Sequence, residues 1–320
     1  MRDSFINRCH IEGRIFSHTL QKKVSGEQSK NPGTEFIRGQ INVATDEEGI
    51  NVVPVHFTYV TEFYSKSGKP NDTYKVLAQI IDEDKTWEKN GKDEAFQVRI
   101  DGDIEINDFL GRDGEMVANK RVRGSFVHFA NGQYGLNKDE NERNTFEADM
   151  LIAATMMQEV EDGDDYMNLR GYVFAYRNAL IPVTFSIHNS AGITYFDKCD
   201  ISNENPLLTK VWGNIISTTQ EVRTETESAF GSAQVNVTTR TLRAWEIAGC
   251  AAEPYEWDDE STLTLDEFKQ LLDERAQAVA AEKKRAEDYQ KSQSGKSGFP
   301  ASGSEKNTDK ASTPNAGFKF

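Results

Sequence analysis

The side chains here whose types and spacing could do chemistry are arginines interleaved with aromatic rings, and that chemistry is binding. In residues 169–176, Arg170, Tyr172, Phe174 and Tyr176 alternate with an apolar set of Leu169, Val173 and Ala175. In residues 36–43, Phe36, Arg38, Gln40 and Asn42 alternate with Ile37, Ile41 and Val43. A guanidinium holds a phosphate and a ring stacks on an unpaired base, so such rows suit a single-stranded nucleic acid. The competing reading is that the rings cover a second sheet or another domain, since large aromatics are usually buried. The full candidate set is Arg14, Phe16, Phe36, Arg38, Arg121 and Arg123 in the first half. In the second half it is Arg170, Tyr172, Phe174, Tyr176, Trp212, Arg240 and Arg243. Trp212 belongs to the core instead if its neighbour Val211 faces outward.

Catalytic chemistry is not indicated. His10, His18, His56, His128 and His188 are scattered, and Cys9, Cys199 and Cys250 form no Cys-x-x-Cys pair. Asp101 and Asp103 flank Gly102, and Asp162, Asp164 and Asp165 cluster near Gly163, but neither group has the ligand spacing of a calcium loop. Walker and Gly-x-Ser-x-Gly motifs are missing. The expectation is a binding protein with no catalytic residues, metal site or cofactor.

The formal charge of −15 argues against a general nucleic-acid coat, because phosphate binding is driven by Lys and Arg. Residues 1–143 are nevertheless close to balance, with 20 basic and 24 acidic groups, which leaves room for a local cationic groove. No apolar run has membrane-spanning length and the start lacks signal-peptide character, so a soluble cytoplasmic protein without membrane contact is expected.

The elements that must carry these residues are written twice. Arg38-Gly39-Gln40-Ile41-Asn42-Val43, followed by Val52-Val53-Pro54-Val55-His56-Phe57, returns as Arg170-Gly171-Tyr172-Val173-Phe174-Ala175, followed by Leu180-Ile181-Pro182-Val183-Thr184-Phe185. Alternation predicts strands over residues 8–16, 36–43, 52–57 (with an aromatic run at 58–64), 98–106 and 119–129. A helix over 73–81 with Asp72 as cap lies between the third and fourth, and Gly111-Arg112-Asp113-Gly114 turns the last hairpin. Five strands with a helix in that place is the order of an OB barrel. The second half repeats it at 146–157, 168–176, 180–188, 208–219 and 234–247, with an undefined connection at 192–206 and a long polar loop at 221–231.

Thr264-Leu265-Asp266-Glu267 is a capping box for a helix reaching about residue 289, with a stripe of Leu265, Phe268, Leu272, Ala276 and Val279. Residues beyond 291 lack the apolar content for a core and are expected to be disordered. The predicted fold class is therefore mainly β, with two tandem OB-fold barrels (residues 1–143 and 144–252). An acidic segment and amphipathic helix (253–290) and a disordered tail (291–320) follow.

With Asn7-Arg8 through Gly13-Arg14, residues 36–46, Asn51-Val52-Val53, residues 98–114 and the strand from Arg121 in place, the first 130 residues resemble the bacterial single-stranded DNA-binding protein family. The two-barrel plan looks like a bacteriophage-encoded relative. The resemblance implies a sequence-tolerant binder of single-stranded DNA in replication, recombination or repair. It also implies recruitment of replication or recombination proteins by the C-terminal tail and a possible homo-oligomer. The chain departs from the family in ending on Lys319 between two phenylalanines instead of consecutive acids before Pro-Phe. The alternative function is a protein-interaction or virion component built on tandem β barrels.

Overall fold

The computed structural model describes residues 5–64, 67–131, 135–160, 164–226, 234–257 and 262–294. In chain order the strands are β1 (Asn7–His18), β2 (Gln21–Val24), β3 (Glu35–Ala44), β4 (Val52–Thr61), β5 (Gln97–Leu110) and β6 (Met116–Phe129). They continue as β7 (Asn144–Gln158), β8 (Tyr166–Phe174), β9 (Leu180–Ile187), β10 (Leu207–Thr226) and β11 (Gln234–Cys250). The helices are α1 (Asp72–Glu83), α2 (Trp87–Asn90), α3 (Ser190–Asp197) and α4 (Leu265–Ser294).

Pairing closes each half on itself. β1 pairs with β3, β3 with β4 and β6 with β5, all antiparallel; β4 meets β6 in parallel at Val55↔Val122, and β5 returns to β1. The second half repeats the circuit: β7–β8–β9, a parallel contact of β9 with β11 at Ser186↔Glu246, then β10 back to β7. This is the five-stranded OB circuit, written twice. Alternation supplies the filling, since Val53, Val55 and Phe57 are buried in β4 while Pro54 and His56 between them are partly exposed.

Both fifth strands carry a bulge at the same place, with Ser125 of β6 left over opposite Asp101 and Gly102 of β5, and Ala248 of β11 left over opposite Trp212 and Gly213 of β10. A side chain at Gly102 would meet the Arg123 carbonyl oxygen at 2.0 Å, and one at Gly213 the Glu246 carbonyl oxygen at 1.8 Å. The bulges therefore require glycine. The barrels join where the first halves of β1 and β7 pair antiparallel from Asn7↔Ala148 to Ile11↔Asn144, which makes one eleven-stranded sheet.

Several expectations need correction. The α1 cap is Asn71, one residue earlier than Asp72, because Asn71 Oδ1 accepts from the Thr73 amide. The connection after β9 contains α3, capped by Asn189 and occupying the position that α1 has in the first barrel. The polar stretch after residue 220 is not simply loop: β10 and β11 stay paired to Thr226↔Gln234, and residues 227–233 lie outside the described residues. The apolar face of α4 is Phe268, Leu271 and Leu272, while Leu265 is exposed. The expected tail lies, from residue 295 on, outside the described residues. Among the described residues no helix is long and apolar enough to cross a membrane.

Candidate nucleic-acid interface

Strands two and three of an OB barrel carry its usual ligand face, and in the first barrel these are β3 and β4. There Phe36 packs on Tyr59 with ring centroids 4.5 Å apart, and Arg38 is exposed with no partner among the described residues. Beyond β4 the chain turns with Thr61 Oγ1 donating to the Phe63 carbonyl and Asn71 Nδ2 donating to the Thr61 carbonyl. The residue that caps α1 thus also fixes the ring-bearing turn. Tyr59, Phe63, Tyr64 and Phe126 line a groove of about 630 Å³ together with Arg123, and each ring is between 42% and 52% exposed. Four half-exposed rings in one groove leave apolar faces that a stacked base would cover.

Phe126 and Ser125 also border a second groove of about 1030 Å³ that crosses the β1–β7 junction and ends at Trp212. Trp212 lies over Gly249, where a Cβ would come within 2.7 Å of the indole, and Lys210 Nζ sits 5.8 Å from the ring centroid. Arg8 is exposed in the floor of this groove.

Carboxylates already hold much of the nearby positive charge. Arg123 donates from Nε and Nη2 to Asp103 at 2.9 and 2.7 Å, and Arg121 donates from Nε to Glu105 at 2.9 Å. His10 bridges Asp101 at 2.6 Å and Glu12 at 2.7 Å, and Arg99 lies 2.8 Å from Glu12. The hydrogen bond to Asp101 raises the His10 imidazole above its ordinary value, with Glu12 adding to it against the opposing effect of burial. Burial would push the Glu12 carboxyl up, but the Asn137 amide, His10 and Arg99 together hold it below the usual range. A phosphate approaching Arg121 or Arg123 must compete with a bound acid. Among the described residues neither Arg38 nor Arg8 is paired with a carboxylate.

The sequence matches the YorF family over residues 6–285. This chain belongs to the YorF family. Among solved structures it is similar to the wild-type single-stranded DNA-binding protein from Thermus aquaticus, with a TM-score of 0.44 and 10% identity, covering 78% of this chain and 93% of that one. A deletion mutant of the same Thermus protein gives 0.45 and 11%, covering 80% and 98%. No curated protein matches the chain.

In this YorF-family fold the residues expected to bind are dispersed. Phe36, Arg38 and Arg123 lie on the first barrel's face, and Trp212 lies in the junction groove. Arg121 and Arg243 line a separate crevice between the barrels, and Arg170 another. Arg14 is tied to the Lys92 carbonyl at 3.2 Å, and Phe16 packs on Trp87 with centroids 6.1 Å apart. Phe174 is not available to a ligand. It is 1% exposed, stacked on Phe5 at 4.0 Å and sealed in a cluster with Leu263, Phe268 and Leu271. Tyr172 is half-buried with its ring 5.9 Å from that of Phe268. For these two rings the covering element is α4. Tyr176 is 77% exposed on the turn after β8, with Arg177 5.3 Å from its ring centroid. Arg240 pairs through its backbone with Gln220 in the β10–β11 ladder, and its side chain lies outside the described ones.

Sequence reading did not single out Tyr59, Phe63, Tyr64, Phe126, Arg8 and Lys210, which line the two grooves. The aromatic run at 58–64 was a visible signal. Phe126 was not, because strict alternation from Arg121 and Arg123 sends it inward. The register shift that pairs Gly124 with Gly102 and Phe126 with Asp101 skips Ser125 and turns the ring out. Among the described residues no group of His, Cys, Asp and Glu is arranged to hold a metal ion.

Proposed function

We propose that this protein binds single-stranded DNA with little regard to base sequence, acting in the cytoplasm where unpaired strands arise in replication, recombination or repair. The observation that carries the reading is the groove of half-exposed rings Tyr59, Phe63, Tyr64 and Phe126 beside Arg123 on the ligand face of the first barrel. Every base has a face to stack, so such a platform is sequence-tolerant, with each stack worth about 1–3 kcal/mol. The junction groove extends the platform from Phe126 to Trp212, which gives one strand a route from the first barrel to the second. Recruitment of replication or recombination proteins through residues 291–320 belongs to the same proposal.

The test is fluorescence anisotropy of labelled oligothymidine at low salt and micromolar protein, with duplex DNA and RNA of equal length as comparisons. Phe126→Ala should weaken oligothymidine binding about tenfold, the loss of one stack of about 1.4 kcal/mol, and leave the salt slope unchanged. Arg38→Ala should shallow the slope instead. Absence of any anisotropy change would end the DNA reading and leave a protein-interaction role. Equal affinity for duplex and single strand would mean a plain electrostatic patch and no stacking groove.

A further inference from the structure

Cationic side chains gather in a place that the ring-lined grooves do not use. Lys120 on β6 reaches from the first barrel to the second, where its Nζ donates to the Thr184 carbonyl of β9 at 2.6 Å and lies 5.6 and 5.8 Å from the ring centroids of Phe185 and Trp245. On one side of it is a crevice of about 200 Å³ lined by His56, Arg121 and Arg243. On the other is a crevice of about 570 Å³ lined by Arg170, Asn119 and Asn203. In a chain of formal charge −15, neither lining contains an aspartate or glutamate.

Each charged element around the smaller crevice can be accounted for. β4 contributes His56, β6 contributes Lys120 and Arg121, and β11 contributes Arg243; β9 and β10 add only neutral groups such as Thr184 and Ser217. The acid nearby is Glu105 on β5, and Arg121 holds it at 2.8 Å. Burial brings the Lys120 ammonium down to about 8. Burial also pushes the His56 imidazole down, helped by Arg121 and Arg243 and opposed by Glu105. For both groups burial is the leading cause of the shift.

We propose that the crevice lined by His56, Lys120, Arg121 and Arg243 binds a phosphate oxyanion, with Lys120 and Arg243 as its principal cations because Arg121 already holds Glu105. Its size suits one phosphate group rather than a whole nucleotide, and the ligand is either free phosphate or a backbone phosphate of a bound strand. The assignment goes beyond the single-strand reading and does not depend on it, because the oxyanion site and the ring-lined groove have different linings. Lys120 loses its charge as pH rises through about 8, whereas His56 loses its charge below its ordinary value, so an anion of constant charge should bind more weakly as pH rises past 8.

The experiment is calorimetric titration of the full chain with inorganic phosphate at pH 7 and low ionic strength, followed by sulfate over pH 6.5–9 because sulfate keeps its charge. Phosphate binding should weaken about tenfold or more in Lys120→Met and in Arg243→Ala, and sulfate binding should fall as pH rises. Arg243 is exposed without a partner among the described residues, so its variant carries the test should Lys120→Met fail to fold. Displacement of phosphate by oligothymidine assigns the site to the DNA backbone, whereas simultaneous binding of both assigns it to free phosphate. Absence of binding by the wild type, or unchanged affinity in Arg243→Ala, overturns the proposal. Neither result touches the single-strand reading, which fails only if oligothymidine itself does not bind.

Discussion

At the scale of single residues, the groove between the barrels is governed by an acid–base network. His10 sits between Asp101 and Glu12, and Glu12 also accepts from the Asn137 amide at 2.7 Å while almost fully buried. A buried carboxylate needs such partners, because an uncompensated charge in that position is costly. The sign of the pH dependence follows from the raised His10 value: its stabilisation is fully present below the unfolded value of about 6.5 and is lost as pH rises through the higher folded value. His10→Asn should therefore lower the melting temperature more at pH 5.5 than at pH 8.5. Equal losses at both would mean that the ring is neutral and that its charge does not hold the two acids. The same network explains why a groove with Arg8 and Lys210 in it is not simply basic: Asp101, Asp103, Glu142 and Glu147 share the lining.

At the scale of elements, α4 decides which aromatic residues can meet a ligand. Its capping box forms as the sequence indicates, with the Glu267 amide donating to Thr264 Oγ1 at 3.2 Å and the Thr264 amide donating to Glu267 Oε2 at 3.0 Å. Arg275 then clamps the helix to β5 through two bonds to Asp108 at 2.6 and 2.5 Å. Phe268 is buried over β8, so Phe268→Ala should cost about 3–5 kcal/mol in urea unfolding. Oligothymidine affinity should stay within about threefold, under 1 kcal/mol, because Tyr59, Phe63 and Phe126 lie elsewhere. A tenfold change in affinity would show that α4 covers the true interface. This helix also marks the limit of what the sequence makes legible. Strand alternation and the capping box are local patterns; alternation together with the duplication predicted both barrels, and the capping box predicted α4. Whether Tyr172 and Phe174 face water or a helix nearly a hundred residues later is not a local property. β2, whose four residues are all exposed, gives no alternating pattern to find, and the bulge that exposes Phe126 breaks the one pattern available.

At the scale of the whole molecule, the two barrels share more than a border. The first half of β1 pairs on one side with β5 of its own barrel and on the other with β7 of the next. Asn7 donates from Nδ2 to the carbonyls of Ile104 and Phe174, each at 3.0 Å, and accepts from the Ile104 amide at 2.8 Å, so one side chain ties β5 to β8. Asp149, fully buried on β7, accepts from the Ile6 amide at 2.6 Å and from the Tyr255 hydroxyl at 2.8 Å. Further round the junction, Asn51 donates to the Ile215 carbonyl at 3.3 Å and accepts from the Ser217 amide at 2.7 Å. Loss of either barrel would strand these partly or fully buried polar groups, up to about 1–3 kcal/mol each, and would strip β1 of one neighbour. The barrels should therefore unfold together. Scanning calorimetry should give one transition whose calorimetric and van't Hoff enthalpies agree. Asn7→Ala should lower that transition by about 2–4 kcal/mol for its three hydrogen bonds without splitting it. Two resolved transitions in the wild type would mean that the barrels are held by chain connectivity alone, and a groove that runs across their junction could not then present Phe126 and Trp212 as one fixed track.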